Sequence, residues 1–269
     1  MNMQPKIKFT LTLLWSIFLL MGCVPQQSQN ETTEKQTSEV QKPTPLDPAL
    51  KAHGGLDTWH QYQQVEYDLY VNDNFADHQL IDLKTRKVRI TSAQYTIGFD
   101  GKEVWVTPDK EAYSGNSARF YHNLQFYFFA IPFVLADPGT QHEALGQSVF
   151  QGATYNVVKT SFGNNIGDAP DDYYLTYADP ATHQLRLLLY TVTYFSREAS
   201  GRFNARVYDA FQEVDGLLVP ARMISYRWEN DSLGEKRSET AFRNVRFSKE
   251  APDANQFEMP DGAYIDKLE

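Results

Sequence analysis

The sequence predicts a mainly β (α+β) fold: one large curved antiparallel sheet forming a half-open barrel, with helices on its concave side. Three observations predict it. Apolar and polar residues alternate over many short segments after residue 64, the breaks between segments are short turns rather than crossovers, and only 48–63 and 117–136 read as helices. Ten or so strands joined in this way curl, and two helices are too few to cover both faces of such a sheet. A closed barrel or a two-sheet sandwich would use the same strands.

In order, the 269-residue chain starts with Lys6 and Lys8, the apolar run Phe9 to Leu20, and then Leu20-Met21-Gly22-Cys23. A charged start, a short apolar stretch and a small residue before a cysteine read as a secretory leader over 1–22. The pattern resembles the lipobox of bacterial lipoproteins. That resemblance implies cleavage before Cys23, acyl chains such as palmitate on its sulfur and nitrogen, and attachment to a membrane of the cell envelope. Val24 after the cysteine, rather than Asp, implies by the same resemblance the outer membrane. At ~0.8 kcal/mol per buried methylene, two or three such chains hold a protein on a bilayer almost permanently.

Cys23 is the sole cysteine, so no second thiol exists for an intrachain disulfide and the core must hold the fold. Residues 23–46 are read as the acylated cysteine and a disordered tether, because Val is the one apolar residue type between Val24 and Pro45. Such a tether has an r.m.s. span of roughly 25 Å. Residues 47–269 read as a single half-barrel domain, a length common for one sandwich or barrel. Losing Lys6 and Lys8 with the leader takes the formal charge from −9 to −11, and an acidic domain without a basic stripe is a poor partner for nucleic acid.

Asp47-Pro48 suits a helix start, with Asp47 as N-cap, and Gly54-Gly55 divides residues 48–63 into one interrupted helix or two short ones. Val65, Tyr67, Leu69 and Val71 then alternate with Glu66, Asp68, Tyr70 and Asn72, the period of a half-buried strand. Ile81 and Leu83, Val88 and Ile90, and Tyr95, Ile97 and Phe99 repeat the pattern, and Asp100-Gly101 turns the chain into Val104-Trp105-Val106. Further strands are expected at 142–149, 153–162, 172–178, 184–195, 203–214, 217–228 and 239–248, punctuated by Asp179-Pro180, Gly201 and Asp215-Gly216.

The segment 120–135 needs its own explanation, since only His122, Asn123 and Gln125 in it are clearly polar. As a helix it spans roughly 24 Å, short of the ~30 Å hydrocarbon core, and Pro132 interrupts it. Phe120, Leu124, Tyr127, Phe128 and Ile131 share one face, while Tyr121, Phe129 and Phe133 project elsewhere. A helix that is apolar nearly all round must be covered on more than one side. It is either core that fills the barrel or a lid whose side chains part for acyl chains. Tyr67, Leu69, Ile97, Phe99 and Trp105 are the candidate wall residues facing it, with strand parity leaving their direction open.

Several motifs together resemble a known family. They are HGGLDTW at 53–59, FDGKEVW at 99–105, ADPG at 136–139, YADPATHQL at 177–185, DGLLVP at 215–220 and FEMPDG at 257–262. In that order they are similar to an uncharacterised family of bacterial lipoproteins, itself similar to the lipoprotein-sorting carriers of the periplasm and outer membrane. The resemblance covers nearly all of 47–269. It implies an antiparallel half-barrel with helices as a lid over an apolar cavity that binds acyl chains of lipids or lipoproteins. Phe75 and Ile166 stand as lone apolar residues in loop-like stretches.

No GxSxG elbow, HExxH, P-loop or dinucleotide fingerprint is present, so neither catalysis nor a cofactor is expected. His53, Asp57 and His60 have a spacing that places three metal-ligand types on one helical face, but Gly54-Gly55 breaks that spacing and a solvated or capping role is the expectation. His122 is expected as a hydrogen-bonded core or rim residue. The sequence is thus read as a membrane-tethered lipoprotein that binds a lipid, an acyl chain or an acylated protein without converting it, or as an interaction or envelope-sensing module whose interior its own helix fills.

Overall fold

Two meanders, closed onto each other by the pairing of an early strand with a late one, build the sheet. The computed structural model describes residues 43–163, 171–195 and 202–267, within a compact unit from Lys42 to Glu269. The leader, Cys23, Ile166 and most of the tether lie outside the described residues.

The first meander comprises β1 (Gln64–Val71), β2 (Asn74–Asp82), β3 (Val88–Thr91), β4 (Thr96–Phe99) and β5 (Val104–Thr107). The second comprises β6 (Thr140–Phe150), β7 (Ala153–Phe162), β8 (Tyr173–Ala178), β9 (Leu185–Tyr190), β10 (Asn204–Val214), β11 (Leu217–Glu229) and β12 (Ser232–Ser248). β1 pairs with β12, and a last short strand, β13 (Tyr264–Asp266), adds to β5. The order is β13-β5-β4-β3-β2-β1-β12-β11-β10-β9-β8-β7-β6, antiparallel throughout, and the edge strands β6 and β13 do not meet. The sheet is therefore a half-open barrel, as the alternation and short turns predict.

The turns form where the sequence marks them. Asp100 accepts the N–H groups of Lys102 and Glu103 at 2.8 Å, and Gly101 takes φ +98°. Asp179 accepts those of Ala181 and Thr182 in the same way.

The first helical segment splits into α1 (Asp47–Ala52) and α2 (Leu56–Trp59). Gly54 has φ +110°, and a Cβ there would sit 2.3 Å from the carbonyl oxygen of Gly216, so only glycine allows the chain to turn this close to β11. Leu46, not Asp47, occupies the N-cap; the Asp47 carboxylate instead accepts from the Thr44 N–H and hydroxyl. The aromatic segment forms α3 (Ala118–Ala130), six residues shorter than expected at its C-terminal end, because Ile131 precedes Pro132 and adopts extended backbone before a 3-10 turn at Phe133–Ala136.

α3 fixes the curvature. Its 13 residues make a rod of ~20 Å, whereas β4 and β8 would lie roughly 38 Å apart in a flat sheet. Yet His122 of α3 meets Phe99 of β4, and Tyr127 meets Tyr174 of β8. The sheet wraps the helix. Val65, Tyr67, Leu69, Ile81, Ile90 and Ile97 point inward and are fully buried with it, each side chain stabilising the fold by ~1.5–3 kcal/mol. A smaller cluster of Phe150, Val157, Tyr177, Leu187, Leu189 and Ala205 covers the other face of the second meander. β9 is consequently apolar on both sides.

Candidate functional site

α3 starts where Ser117 accepts the Phe120 N–H on its hydroxyl oxygen, at 3.1 Å, while the Asp266 carboxylate accepts from the Arg119 N–H at 2.9 Å and the Ser117 hydroxyl at 3.2 Å. Two anchors thus satisfy two of the orphan N–H groups of the first turn, those of Arg119 and Phe120. The carboxylate comes from the far end of the chain, on β13.

Around the helix the contacts change with each residue. Phe129 packs on Tyr67 and Phe242, and the Arg86 guanidinium lies over the Phe126 ring. On the face read from the sequence, Phe128 meets Tyr190, Tyr127 meets Tyr174, and Phe120 meets Tyr194 and Phe195. Beyond the helix, Phe133 stacks on Trp59 with ring centroids 4.6 Å apart.

The sequence-derived residues divide into three groups. Phe128, Ile131, Tyr67, Leu69 and Ile97 are buried in the main core against one another's elements. Leu124, Tyr127 and Phe99 are half-buried at its margins, and Phe120 is half-buried against Tyr194 and Phe195. Trp105 goes elsewhere. Val104 and Val106 belong to the core that holds α3, so alternation turns Trp105 to the opposite face, where its indole covers Gly98, its cross-strand partner.

Sequence reasoning missed a polar network under α3. Asp77 of β2 is fully buried and accepts from the hydroxyls of Tyr121 at 2.6 Å and Tyr95 at 3.2 Å, and from the Gln79 amide at 2.9 Å; Tyr67 in turn donates to Gln79. Burial pushes the Asp77 carboxyl above its usual range, and the bonds from Tyr121, Gln79 and Tyr95 pull the other way. The available signal is that Asp77 and Gln79 share the parity of Ile81, so a strand ending in Ile81 points them inward.

A cavity of about 490 Å³ opens at the N-terminal end of α3. Its walls combine Tyr113, Tyr194, Phe195 and Tyr264 with Lys110, Glu111, Asp266 and Lys267, and it reaches the core at Val106 and Ala118. The Lys110 ammonium lies 5.5 Å from the Tyr264 ring centroid. Phe195 is 58% exposed, an unusual state for a phenylalanine flanked by two other rings.

His53 takes a structural place. It is fully buried, its Nδ1–H donating to the Leu218 carbonyl at 2.7 Å and its Nε2 accepting from the Leu185 N–H at 3.2 Å. Desolvation lowers its pKa to about 4. The expected solvated or capping role is thereby corrected, the helix break at Gly54 having turned the ring inward. Asp57 and His60 are exposed, and among the described residues no group of acidic, His or Cys side chains converges as a metal site. His122 donates from Nδ1 to the Arg119 carbonyl, beside Phe99.

Residues 81–214 match the model of a family of unknown function, DUF6503. No curated protein sequence matches the chain. Among solved structures, a DUF1329 family protein from Desulfovibrio piger superposes with a TM-score of 0.50 at 12% identity, covering 80% of this chain and 98% of that one. A LolA superfamily protein from Nitrosomonas europaea superposes with a TM-score of 0.50 at 13% identity, covering 78% and 96%. The chain shares their fold. At such identities the likeness is one of architecture, and it agrees with the motif resemblance to sorting carriers.

Proposed function

We propose that this protein is an envelope lipoprotein, anchored through acylated Cys23 and most simply at the outer membrane, whose half-barrel binds a lipid or acyl chain without converting it. The cavity beside α3 carries this reading. Its volume falls in the ~300–1,000 Å³ range of ligand pockets, four aromatic rings stand among its polar and charged walls, and its floor is continuous with the core at Val106 and Ala118. The fold shared with a LolA superfamily protein supports it. The binding surface inferred from sequence shifts accordingly: Phe120 flanks the cavity through Tyr194 and Phe195, Phe128 meets ligand once its ring swings aside, and Tyr67, Leu69, Ile97 and Ile131 do so only after α3 moves.

A second reading comes from the close packing of Phe126, Phe129, Phe133, Val134 and Leu135, which fills the interior with the protein's own side chains and suits an interaction or sensing module. Native mass spectrometry and displacement of a fluorescent fatty probe separate the two. Co-purified lipid or saturable displacement supports the ligand reading. An empty protein that binds no probe overturns it. Cys23→Ser tests the anchor independently, with release from the membrane fraction expected and retention counting against acylation.

A further inference from the structure

We infer that Arg206 is an anion site beneath α3, and that the ligand is an amphiphile with one anionic head, carboxylate or phosphate, which replaces the Phe128 ring against the guanidinium. The inference rests on the apolar-ligand reading and adds the head's charge to it.

Arg206 lies on β10 with Leu188 of β9 and Ser225 of β11 as cross-strand neighbours. The adjacent Ala205 belongs to the cluster on the opposite face, so Arg206 points toward α3. Only 6% of it is exposed. Its guanidinium carbon stands 3.9 Å from the Phe128 ring centroid, and its Nε and Nη1 are buried without a hydrogen-bond partner. Among the described residues no carboxylate lies within ion-pair distance of it. Gln125, three residues before Phe128, likewise leaves its buried Oε1 unpartnered.

A guanidinium does not give up its proton inside a protein, so the charge persists when buried. Buried charges are ordinarily paired, and the face of a phenyl ring answers only part of that requirement. The unpartnered Nε–H and Nη1–H groups lie on different edges of the planar guanidinium, and each is a charged donor able to take an oxygen of a carboxylate or phosphate. Arg206 and the cavity flank the same helix: Ala118 at the cavity and Phe128 at the guanidinium are ten residues apart, ~15 Å along the axis. The Tyr208 hydroxyl meanwhile holds the Phe128 carbonyl at 3.0 Å, so the ring can swing away while the helix backbone stays tied.

The test compares hexadecanoate, hexadecyl phosphate and methyl hexadecanoate as competitors of a fluorescent fatty probe at pH 8, using the full protein, Arg206→Met and Arg206→Lys. Wild type is expected to prefer the anions over the ester by about tenfold or more, the scale of a charge-assisted pair. Arg206→Met should bring all three within about twofold while keeping or raising the thermal midpoint, because it removes an uncompensated buried charge. Arg206→Lys should retain part of the preference. Equal binding of ester and anions by wild type overturns this inference alone, and does so even if Arg206→Met fails to fold. A preference that survives in Arg206→Met also overturns it. Failure of every probe to bind overturns the apolar-ligand reading and this inference together. The relative affinity of hexadecanoate and hexadecyl phosphate identifies which head is preferred.

Discussion

Replacing His53 with Asn should change both the stability of the fold and its dependence on pH. The imidazole ties α1 to β9 and β11 through two backbone bonds, to Leu185 and Leu218. Leaving those two buried backbone groups short of a partner costs about 1–3 kcal/mol each, and Asn can replace one of them at most. A net loss of about 2–3 kcal/mol at pH 7.5 is expected. The pH dependence comes from a folded pKa of about 4 against an ordinary 6.5. Between those values the unfolded chain binds the proton and the folded one does not, so stability rises with pH. The contribution is complete above about pH 6.5 and is lost as pH falls to about 4; at ~1.36 kcal/mol per unit the whole span is about 3 kcal/mol. Urea unfolding, tracked by the fluorescence of the buried Trp59 and Trp105, gives the difference between wild type and His53→Asn at each pH. Carboxylates common to both proteins cancel in it. The gap should shrink steadily from pH 7 to pH 4.5. A gap that stays constant would show that the ring is not held neutral by burial.

Other perturbations probe the network, the opposite face and the cavity. Tyr121→Phe removes the shortest donor to Asp77 and should cost about 1.5–3 kcal/mol at pH 7. Because burial raises the Asp77 pKa, the folded state binds the extra proton, and the variant's deficit should narrow as pH falls toward the ordinary carboxyl range; urea midpoints at pH 7 and 4.5 check the sign. Gly98→Ala would set a Cβ 2.1 Å from the Trp105 indole, an overpacking expected to cost about 1–3 kcal/mol, with Trp105→Leu restoring part of it in the double variant's thermal midpoint. Phe195→Ser, at an exposed position, should move stability by less than about 0.5 kcal/mol yet weaken fatty-probe binding several-fold. Unchanged probe affinity would place the ligand elsewhere.

Strand pattern and turn chemistry are legible in this sequence wherever one face is wet. Val65, Tyr67 and Leu69 alternate with Glu66 and Asp68, and the structure buries the expected set. Legibility fails where both faces are covered or both are wet. Val104-Trp105-Val106 is buried throughout, so alternation says nothing about which face each side chain takes. The first residues of β12, SLGEKRS, are polar on both faces and give no apolar period, although backbone pairing with β11 extends the strand to Ser232. β13 has three residues and is held by its ladder with β5. Of the candidate site, the aromatic helix is plain in the sequence, but its partners are not. Asp77 and Arg206 break the rule that charged side chains stay wet, so only the fold reveals that they are buried.

The joining of β1 to β12 matters for how the protein acquires its shape. Gln64 lies opposite Ser248, so the seam between the two meanders closes only after nearly the entire polypeptide has emerged. Until then the early hairpins present a bare ladder of unsatisfied amides, the kind of surface that recruits stray strands. Long-range closure of this sort is also slow. A nascent copy thus has a built-in interval of stickiness, and truncations before residue 248 should clump rather than yield a smaller barrel.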